Sequence, residues 1–214
     1  MAVAAVLWDF GGVITSSPFE AFNRYEAERG LPKDFIRTVN ATNPLDNAWA
    51  LFEQARIDTA EFDARFAEES AALGHRVRGA DVLPLLSGDV RPRMVKALEA
   101  CKARFKVGCI TNNVRTGEGA GMAGTAEKAA SVKRIMTLFD HVLESSKVGL
   151  RKPDPRIYAL MCEAIGVEPN ACVYLDDLGI NLKPAKDMGM ATIKVVNEAQ
   201  ALSDLAAATG LSFD

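Results

Sequence analysis

A chain of 214 residues with a net charge of −3 has room for one compact domain, or for a core with a modest insertion. Hydrophobic residues make up 49% and charged residues 25%, which is ordinary for a globular protein that is stabilised by its own hydrophobic core. The slightly acidic balance and the lack of a long Lys/Arg run argue against nucleic acid or an anionic membrane as the main partner.

The cysteines and the start of the chain bear on the cellular compartment. Four cysteines are spread along the sequence with no close pair of the metal-binding or redox kind, so we expect buried thiols in a reducing compartment. The opening segment MAVAAVLWDF lacks a basic region and is too short to cross a bilayer. We therefore expect no signal peptide, no membrane helix and a cytoplasmic protein.

The first predicted element is a short apolar strand, VAAVLWDF, at residues 3–10. The region that follows contains no convincing strand and shows helical patterns instead, the clearest being FEAFNRYEAER, DNAWALFEQA and TAEFDARFAEESAAL. Asp58 or Thr59, followed by Glu61, is an N-cap signal for the last of these helices. We interpret Trp49 and Phe52 in this region as core residues, because aromatic side chains at helical spacing are more often core than pocket lining.

Beyond residue 88, short apolar runs alternate with helical patterns. The predicted strands are residues 105–113, 139–146, 171–177 and 191–196, and the predicted helices are 93–104, 126–138, 155–165 and 182–188. Such alternation predicts a parallel sheet covered by helices, an open α/β fold. The sequence thus predicts a core domain of residues 1–15 and 88–214, with an all-helical domain of residues 16–87 inserted after the first strand.

Polar residues follow several of the predicted strands at the point where each strand ends. Asp9 closes the first strand, Thr111 and Asn112 close the second, and Asp176 and Asp177 close the fourth. A basic pair, Arg151 and Lys152 in GLRKPDP, follows the third strand. Ligands of open parallel sheets bind beyond the carboxyl ends of the strands, so we expect these residues to meet at one edge.

The residue types at this edge favour phosphoryl chemistry. Three neighbouring carboxylates repel one another by several kcal/mol at an effective dielectric of about 20 unless a cation lies among them, and hard oxygen ligands select Mg²⁺. One carboxylate can also attack phosphorus and form an aspartyl-phosphate. Lys152 and the Thr111 hydroxyl would neutralise the transferring group. Gly11 and Gly12 would let the backbone turn sharply and approach the phosphate closely.

The sequence resembles the haloacid dehalogenase superfamily of aspartate-nucleophile hydrolases over nearly its whole length. The resemblance is carried by VLWDFGGVIT, ITNN, SSKVGLRKPDPRIY and VYLDDLGINLKPAKDMGM. The last two motifs look most like the N-terminal phosphatase-type domain of soluble epoxide hydrolase and its relatives. The family implies a doubly wound parallel-sheet core with a helical cap inserted after the first strand, in agreement with the pattern above.

The resemblance also implies roles for the residues at the sheet edge. Asp9 would be the nucleophile and a Mg²⁺ ligand, and Lys152 the charge stabiliser. Thr111 and Asn112, with the backbone of Gly12, would bind phosphate. Asp177 would be the main second metal ligand, with Asp176 supporting the metal from behind it. The substrate would be a small phosphorylated metabolite, and pairing into a homodimer stays open.

One residue departs from the family pattern. Most phosphatases of this family carry a second Asp two positions after the nucleophile as general acid/base, and here that position is Gly11. Its backbone carbonyl can still bind Mg²⁺ but cannot move a proton, so we expect a slow phosphatase, or one that relies on an acidic leaving group, a water or a residue of the cap. Two alternatives remain: a metal-free 2-haloacid dehalogenase, against which the Asp176–Asp177 doublet argues, and a catalytically weak protein that binds phosphate or Mg²⁺.

A glycine-rich segment invites a different interpretation. Residues 119–124, GAGMAG, match the glycine spacing of dinucleotide-binding loops. That fingerprint must follow a strand directly, and here VRTGE intervenes. We interpret the segment as a loop beside the site.

Overall fold

The computed structural model describes residues 2–114 and 125–213, and the glycine-rich segment 119–124 lies outside them. Five strands form one parallel sheet in the order β3-β2-β1-β4-β5. Their bounds are β1 Ala5–Trp8, β2 Lys106–Thr111, β3 His141–Glu144, β4 Cys172–Asp176 and β5 Ala191–Lys194. All five lie within the predicted segments, and the predicted open α/β fold is confirmed.

Helices cover both faces of the sheet. On β1, Val6 and Trp8 face one hydrophobic cluster and Ala5 and Leu7 face another. A strand that is buried on both faces is apolar throughout, which is why β1 shows no polar alternation. The helices that follow β1 are α1 Pro18–Arg29, α2 Phe35–Ala41, α3 Ala48–Glu53, α4 Thr59–Ala72 and α5 Gly79–Val82, then α6 Pro92–Lys102, α7 Ala126–Met136, α8 Ser145–Val148, α9 Pro155–Ile165, α10 Gly179–Asp187 and α11 Glu198–Thr209.

The helices α1 to α5, all between β1 and β2, share a hydrophobic cluster, to which Val114 after β2 also belongs. We call residues 16–87 the helical insert. The ring of Phe52 stacks on Phe62 with 4.6 Å between centroids, and Trp49 meets Phe62 edge-on at 5.7 Å, as expected of core residues. The Asp58 side chain accepts a hydrogen bond from the Glu61 amide, so Asp58 is the N-cap of α4. The division of the chain into two domains at these boundaries stays a prediction.

The two ends of the helical insert lie side by side. Thr15 and Val90 form an antiparallel bridge, the Ser16 amide donates to the Asp89 carbonyl at 2.8 Å, and the Arg91 amide donates to the Ile14 carbonyl at 2.9 Å. This short ladder fixes where the chain leaves the sheet after β1 and where it returns before α6.

Two further observations concern expectations about the compartment. The four cysteines are buried and unpaired, as the sequence predicts. Within the part of the chain that the structure describes, no helix combines the length and the apolar character needed to cross a bilayer.

Candidate active site

Three carboxylates converge at the carboxyl edge of the sheet. Asp9 directly follows β1, Asp176 is the last residue of β4 and Asp177 comes next. They converge because β1 lies between β2 and β4, with Trp8 in register with Cys109 and Leu175. One oxygen from each carboxylate lies within 4.8 Å of the others. The strand ends therefore meet as the sequence predicts.

Lys152 reaches into this group from the segment after β3. Its ammonium is 2.7 Å from Asp9 Oδ1 and 2.8 Å from Asp176 Oδ2, and its side chain is 1% exposed. Burial lowers the pKa of Lys152, but the carboxylates of Asp176 and Asp9 more than offset that effect and the net shift is upward. The side chain therefore stays charged, as a buried cation between two acids.

Asp9 is itself 7% exposed. Burial raises its pKa well above the ordinary value; the Lys152 ammonium opposes the shift, and the neighbouring carboxylates of Asp176 and Asp177 add to it. Its Oδ1 accepts from the Lys152 ammonium and from the Phe10 amide, both at 2.7 Å. Among the described residues no donor reaches Oδ2, which leaves that oxygen for an incoming group.

Asp176 is fully buried and its oxygens are occupied by donors. Oδ2 accepts from the Lys152 ammonium and the Tyr174 hydroxyl, Oδ1 accepts from the Leu178 amide at 2.8 Å, and the Asn181 amide lies 3.1 Å from both oxygens. A carboxylate saturated in this way is suited to hold Lys152 in place rather than to ligate an ion directly.

Asp177 is less enclosed and packs against the glycine turn. Burial, and next the charge of Asp176, raise its pKa to about 6, while Ser17 donates to its Oδ2 at 3.1 Å. Gly12 has φ of +77°, and a Cβ there would lie 2.2 Å from Asp177 Oδ2. Gly12 is therefore required both by its backbone conformation and by the close approach of Asp177.

The prediction that the sharp turn requires glycine at position 11 is wrong, whereas the predicted close approach of the Gly11 backbone to a phosphate stays a prediction. A Cβ on Gly11 would meet no heavy atom within 4 Å, and Gly11 is not among the glycines with positive φ. The left-handed turn and the close approach of the Asp177 side chain both belong to Gly12. Position 11 thus has room for a Cβ atom.

Thr111 and Asn112 lie where the sequence places them, at the end of β2. Thr111 is 2% exposed. The Asn112 side chain clasps the backbone of Lys152: Nδ2 donates to the carbonyl oxygen at 3.0 Å, and Oδ1 accepts from the amide at 2.8 Å. The role of Asn112 in phosphate binding stays a prediction. Because its side chain already binds the Lys152 backbone, phosphate would bind to the Asn112 backbone.

The two basic residues after β3 contact different parts of the structure. Lys152 contacts Asp9, whereas Arg151 turns to the helical insert, where its Nε is 2.7 Å from Glu53 Oε2 and its Nη1 donates to the Pro44 carbonyl. This geometry favours Lys152 over Arg151 as the charge stabiliser.

Several residues at the site were not predicted. Ser17, Tyr174, Asn181 and Glu53 each hydrogen-bond a residue named above. For Tyr174 and Asn181 a signal existed, since both lie in the strand and helix that flank the Asp176–Asp177 doublet. Ser17 and Glu53 belong to the helical region, where sequence patterns indicate helices but no contact with the sheet edge.

Comparison with known proteins decides the family. The model of the haloacid dehalogenase-like hydrolases matches residues 3–189. The chain belongs to this family. It is 31% identical over 224 residues to bifunctional epoxide hydrolase 2 of Mus musculus, with all of this chain covered and 40% of that protein. It is also 32% identical over 212 residues to the phosphatase MT3486 of Mycobacterium tuberculosis, covering 94% of this chain and 90% of that protein.

These relatives confirm the resemblance seen in the motifs, and they make the chain a hydrolase with phosphatase homologues. The chain spans two fifths of the length of the epoxide hydrolases it matches.

Solved structures share the fold. A HAD family enzyme from Bacteroides thetaiotaomicron in complex with magnesium and inorganic phosphate has a TM-score of 0.59 at 18% identity, covering 90% of this chain and 94% of that one. An L-2-haloacid dehalogenase from Xanthobacter autotrophicus with chloropropionic acid covalently bound also has a TM-score of 0.59, at 19% identity, covering 96% and 82%. At such identities the likeness extends to the fold alone.

The donor set fits a hard divalent cation. Asp9 and Asp177 present carboxylate oxygens within 4.8 Å of each other, and the Gly11 carbonyl lies in the turn between β1 and Gly12. Oxygen donors that include one or two carboxylates are the usual protein ligands of Mg²⁺. Burial and, next, the charge of Asp176 raise the pKa of Asp177, and a bound cation would stabilise its ionised form.

Proposed function

We propose that this chain is a Mg²⁺-dependent phosphatase that hydrolyses a small phosphorylated metabolite through an aspartyl-phosphate on Asp9. The observation that carries the proposal is the convergence of Asp9, Asp176 and Asp177 within 4.8 Å, with the Lys152 ammonium 2.7 Å from Asp9 Oδ1. Buried acids around a buried cation, at the ligand-binding edge of a parallel sheet, are arranged for chemistry on an anion.

Asp9, Asp177 and the Gly11 carbonyl would hold the ion, and Asp176 would support the site through Lys152 and the Leu178 amide. When bound, Mg²⁺ supplies positive charge that draws the phosphate to the carboxylates and stabilises the transferring group. Asp176 is not needed as a direct ligand, because its oxygens already accept hydrogen bonds from four groups.

The reaction would proceed in two displacements at phosphorus. In the first, Asp9 Oδ2 attacks phosphorus, and the bond to the leaving oxygen breaks with its electron pair going to that oxygen. In the second, water attacks phosphorus and releases inorganic phosphate and the Asp9 carboxylate. Lys152 neutralises charge on the transferring group, and the Thr111 hydroxyl with the backbone amides of Gly12 and Asn112 would bind its other oxygens.

The leaving oxygen needs a proton, and position 11 offers none. General acid/base help contributes about 10²- to 10⁴-fold to enzymatic rates. We therefore propose that the enzyme is slow towards simple alkyl phosphates and prefers leaving groups that are acidic enough to depart unprotonated.

The test is release of inorganic phosphate from a panel of phosphate esters, with Mg²⁺ and with a chelator. Turnover that needs Mg²⁺ and is lost in Asp9→Asn supports the proposal, with Asp89→Asn as the control because the Asp89 side chain is 83% exposed and pairs with Lys128. Turnover that survives in Asp9→Asn would refute the aspartyl-phosphate.

Gly11 also favours a second candidate, a 2-haloacid dehalogenase, which uses an Asp nucleophile without a second Asp. Such an enzyme has no need of a metal, so the Asp176–Asp177 doublet argues against it. Halide release from 2-chloropropionate in the presence of a chelator would establish it. A chain that binds Mg²⁺ or phosphate but turns over neither substrate class would instead be a binding protein.

A further inference from the structure

Glu53, the last residue of α3 in the helical insert, makes three contacts with the sheet edge. Its Oε2 is 2.7 Å from Arg151 Nε and 3.4 Å from Asn112 Nδ2, and its backbone carbonyl accepts from the Ser145 hydroxyl at 2.8 Å. The Glu53 side chain is 9% exposed. A carboxylate so enclosed is stable only when it is paired, so these contacts hold it in one position.

The contacts of Glu53 lead to Lys152 by two routes. Arg151 directly precedes Lys152 in the chain. The Asn112 side chain, which the same Glu53 oxygen approaches, binds both the amide and the carbonyl of Lys152, at 2.8 and 3.0 Å. Both routes fix the backbone from which the Lys152 side chain extends to Asp9.

The charges around Glu53 also link it to the placement of Lys152. Arg151 is a second cation next to the site, and its side chain is 18% exposed. Glu53 neutralises it and turns it towards Pro44, so that Lys152 is the member of the basic pair that faces Asp9. Without Glu53, the Arg151 guanidinium would lose its described carboxylate partner.

We propose that Glu53 is a positioning residue, which holds Arg151 and Asn112 so that the Lys152 ammonium stays aligned with Asp9. This proposal rests on the proposed function for its effect on turnover, and on the contacts alone for its effect on the Lys152 backbone. It makes the catalytic geometry of the sheet edge depend on the placement of the helical insert.

The experiment compares Glu53→Ala, Glu53→Gln and Arg151→Met with the matched control Glu69→Gln. Glu69 lies on α4 and binds the amide of Ala48 on the same helix α3, but its described hydrogen bond does not reach the sheet edge. Each variant is assayed for kcat and KM on p-nitrophenyl phosphate with Mg²⁺, for thermal stability, and for amide hydrogen exchange in peptides covering residues 106–113 and 145–154.

In Glu53→Ala we expect kcat to fall about 10- to 100-fold with KM little changed, since small misplacements of reacting groups cost rates of this order. The Lys152 amide, which donates to Asn112 Oδ1, should exchange faster. Glu53→Gln keeps an acceptor for Arg151 and should recover part of both effects, and Glu69→Gln should change neither.

The combined variant, Glu53→Ala with Arg151→Met, tests whether Glu53 acts on Lys152 through Arg151. If Glu53 acts through Arg151, the combined variant loses no more kcat than the worse single variant, whereas multiplied losses would refute that route. A Glu53→Ala protein with wild-type kcat and wild-type exchange, but a lower melting temperature, would show a structural anchor and overturn the proposal. If Glu53→Ala does not fold, Glu53→Gln decides by the same two readouts.

Failure of the proposed function has a different signature. A wild-type chain that is inert towards phosphate esters would refute phosphatase activity and leave the exchange comparison intact, because exchange needs no turnover. Faster exchange at Lys152 in the Glu53 variants would then still support positioning, and unchanged exchange would still refute it.

Discussion

Replacing Lys152 by Met should destabilise the protein strongly, because it leaves two buried carboxylates without their cation. The ammonium is 2.7 Å from Asp9 and 2.8 Å from Asp176. Each contact corresponds to about 6 kcal/mol of Coulomb energy at an effective dielectric of about 20, most of which offsets desolvation. Removing one partner of such a buried pair typically costs about 3–5 kcal/mol.

We therefore expect the free energy of unfolding in urea, measured with a chelator at pH 7.5, to fall by about 3–5 kcal/mol in Lys152→Met. The control is Lys128→Met, which removes an exposed ion pair with Asp89 and should cost less than about 1 kcal/mol. Added Mg²⁺ should restore part of the loss, because it returns positive charge to the same carboxylates.

The pH dependence gives the sharper test. Without Lys152, the pKa of Asp9 in the folded chain rises further above its ordinary value of 3.8, since the ammonium is what opposes the effect of burial. A carboxyl whose pKa is raised by folding loses stability as the pH rises from that ordinary value to the raised one. Below the folded pKa that Asp9 has in the wild type both proteins lose stability in parallel, so the deficit of Lys152→Met should grow as the pH rises above that pKa. A deficit below about 1 kcal/mol, or one that is largest in acid, would refute this reasoning.

Three further predictions concern the glycine turn and the metal site. Gly12→Ala would place a Cβ 2.2 Å from Asp177 Oδ2 and should weaken Mg²⁺ binding in calorimetry about 10-fold or more, whereas Gly11→Ala, with no atom within 4 Å, should leave it unchanged. Gly11→Asp should raise phosphate release, by up to about 10²-fold, because it supplies the missing proton donor in open space; unchanged or lower turnover would count against that diagnosis. Burial raises the pKa of Asp177 to about 6, so protons should compete with Mg²⁺ below pH 6 and affinity should be lower at pH 5 than at pH 7; equal affinities would exclude Asp177 as a ligand.

Where local patterns suffice, the sequence predicts the fold well. The helix at residues 155–165 is confirmed at both ends, because Asp154 caps it, Pro155 begins it and Gly166 ends it with a left-handed backbone. Helix α2 was not predicted, because its first amides are capped by Glu26 of α1, a tertiary contact rather than a local one. Helix α11 is absent from the predicted helices, although Asn197 caps it by accepting from the Gln200 amide, which is a local signal.

The same distinction between local signals and tertiary contacts applies to the candidate site. The positions of Asp9, Asp176 and Asp177 follow from their places at strand ends, since parallel strands bring their carboxyl ends to one edge. The contact between Ser17 and Asp177 joins residues 160 positions apart and depends on how the helical insert is placed, which no local pattern encodes. The different surroundings of Gly11 and Gly12 also emerge only in three dimensions, because both residues look equivalent in the sequence.

The ladder between Ile14–Ser16 and Asp89–Arg91 makes the helices between them a replaceable module. Its two ends are already joined by hydrogen bonds, so a substitute would need to start and finish at adjacent points and to supply the contacts that Ser17 and Glu53 make with the sheet edge. Gly88 should be kept when these helices are exchanged, since a Cβ there would lie 2.6 Å from the Ser16 carbonyl oxygen. Recombining this sheet with another family member's helices between residues 16 and 88 would thus replace Ser17 and Glu53 while leaving the strand that leads to Asp9 untouched.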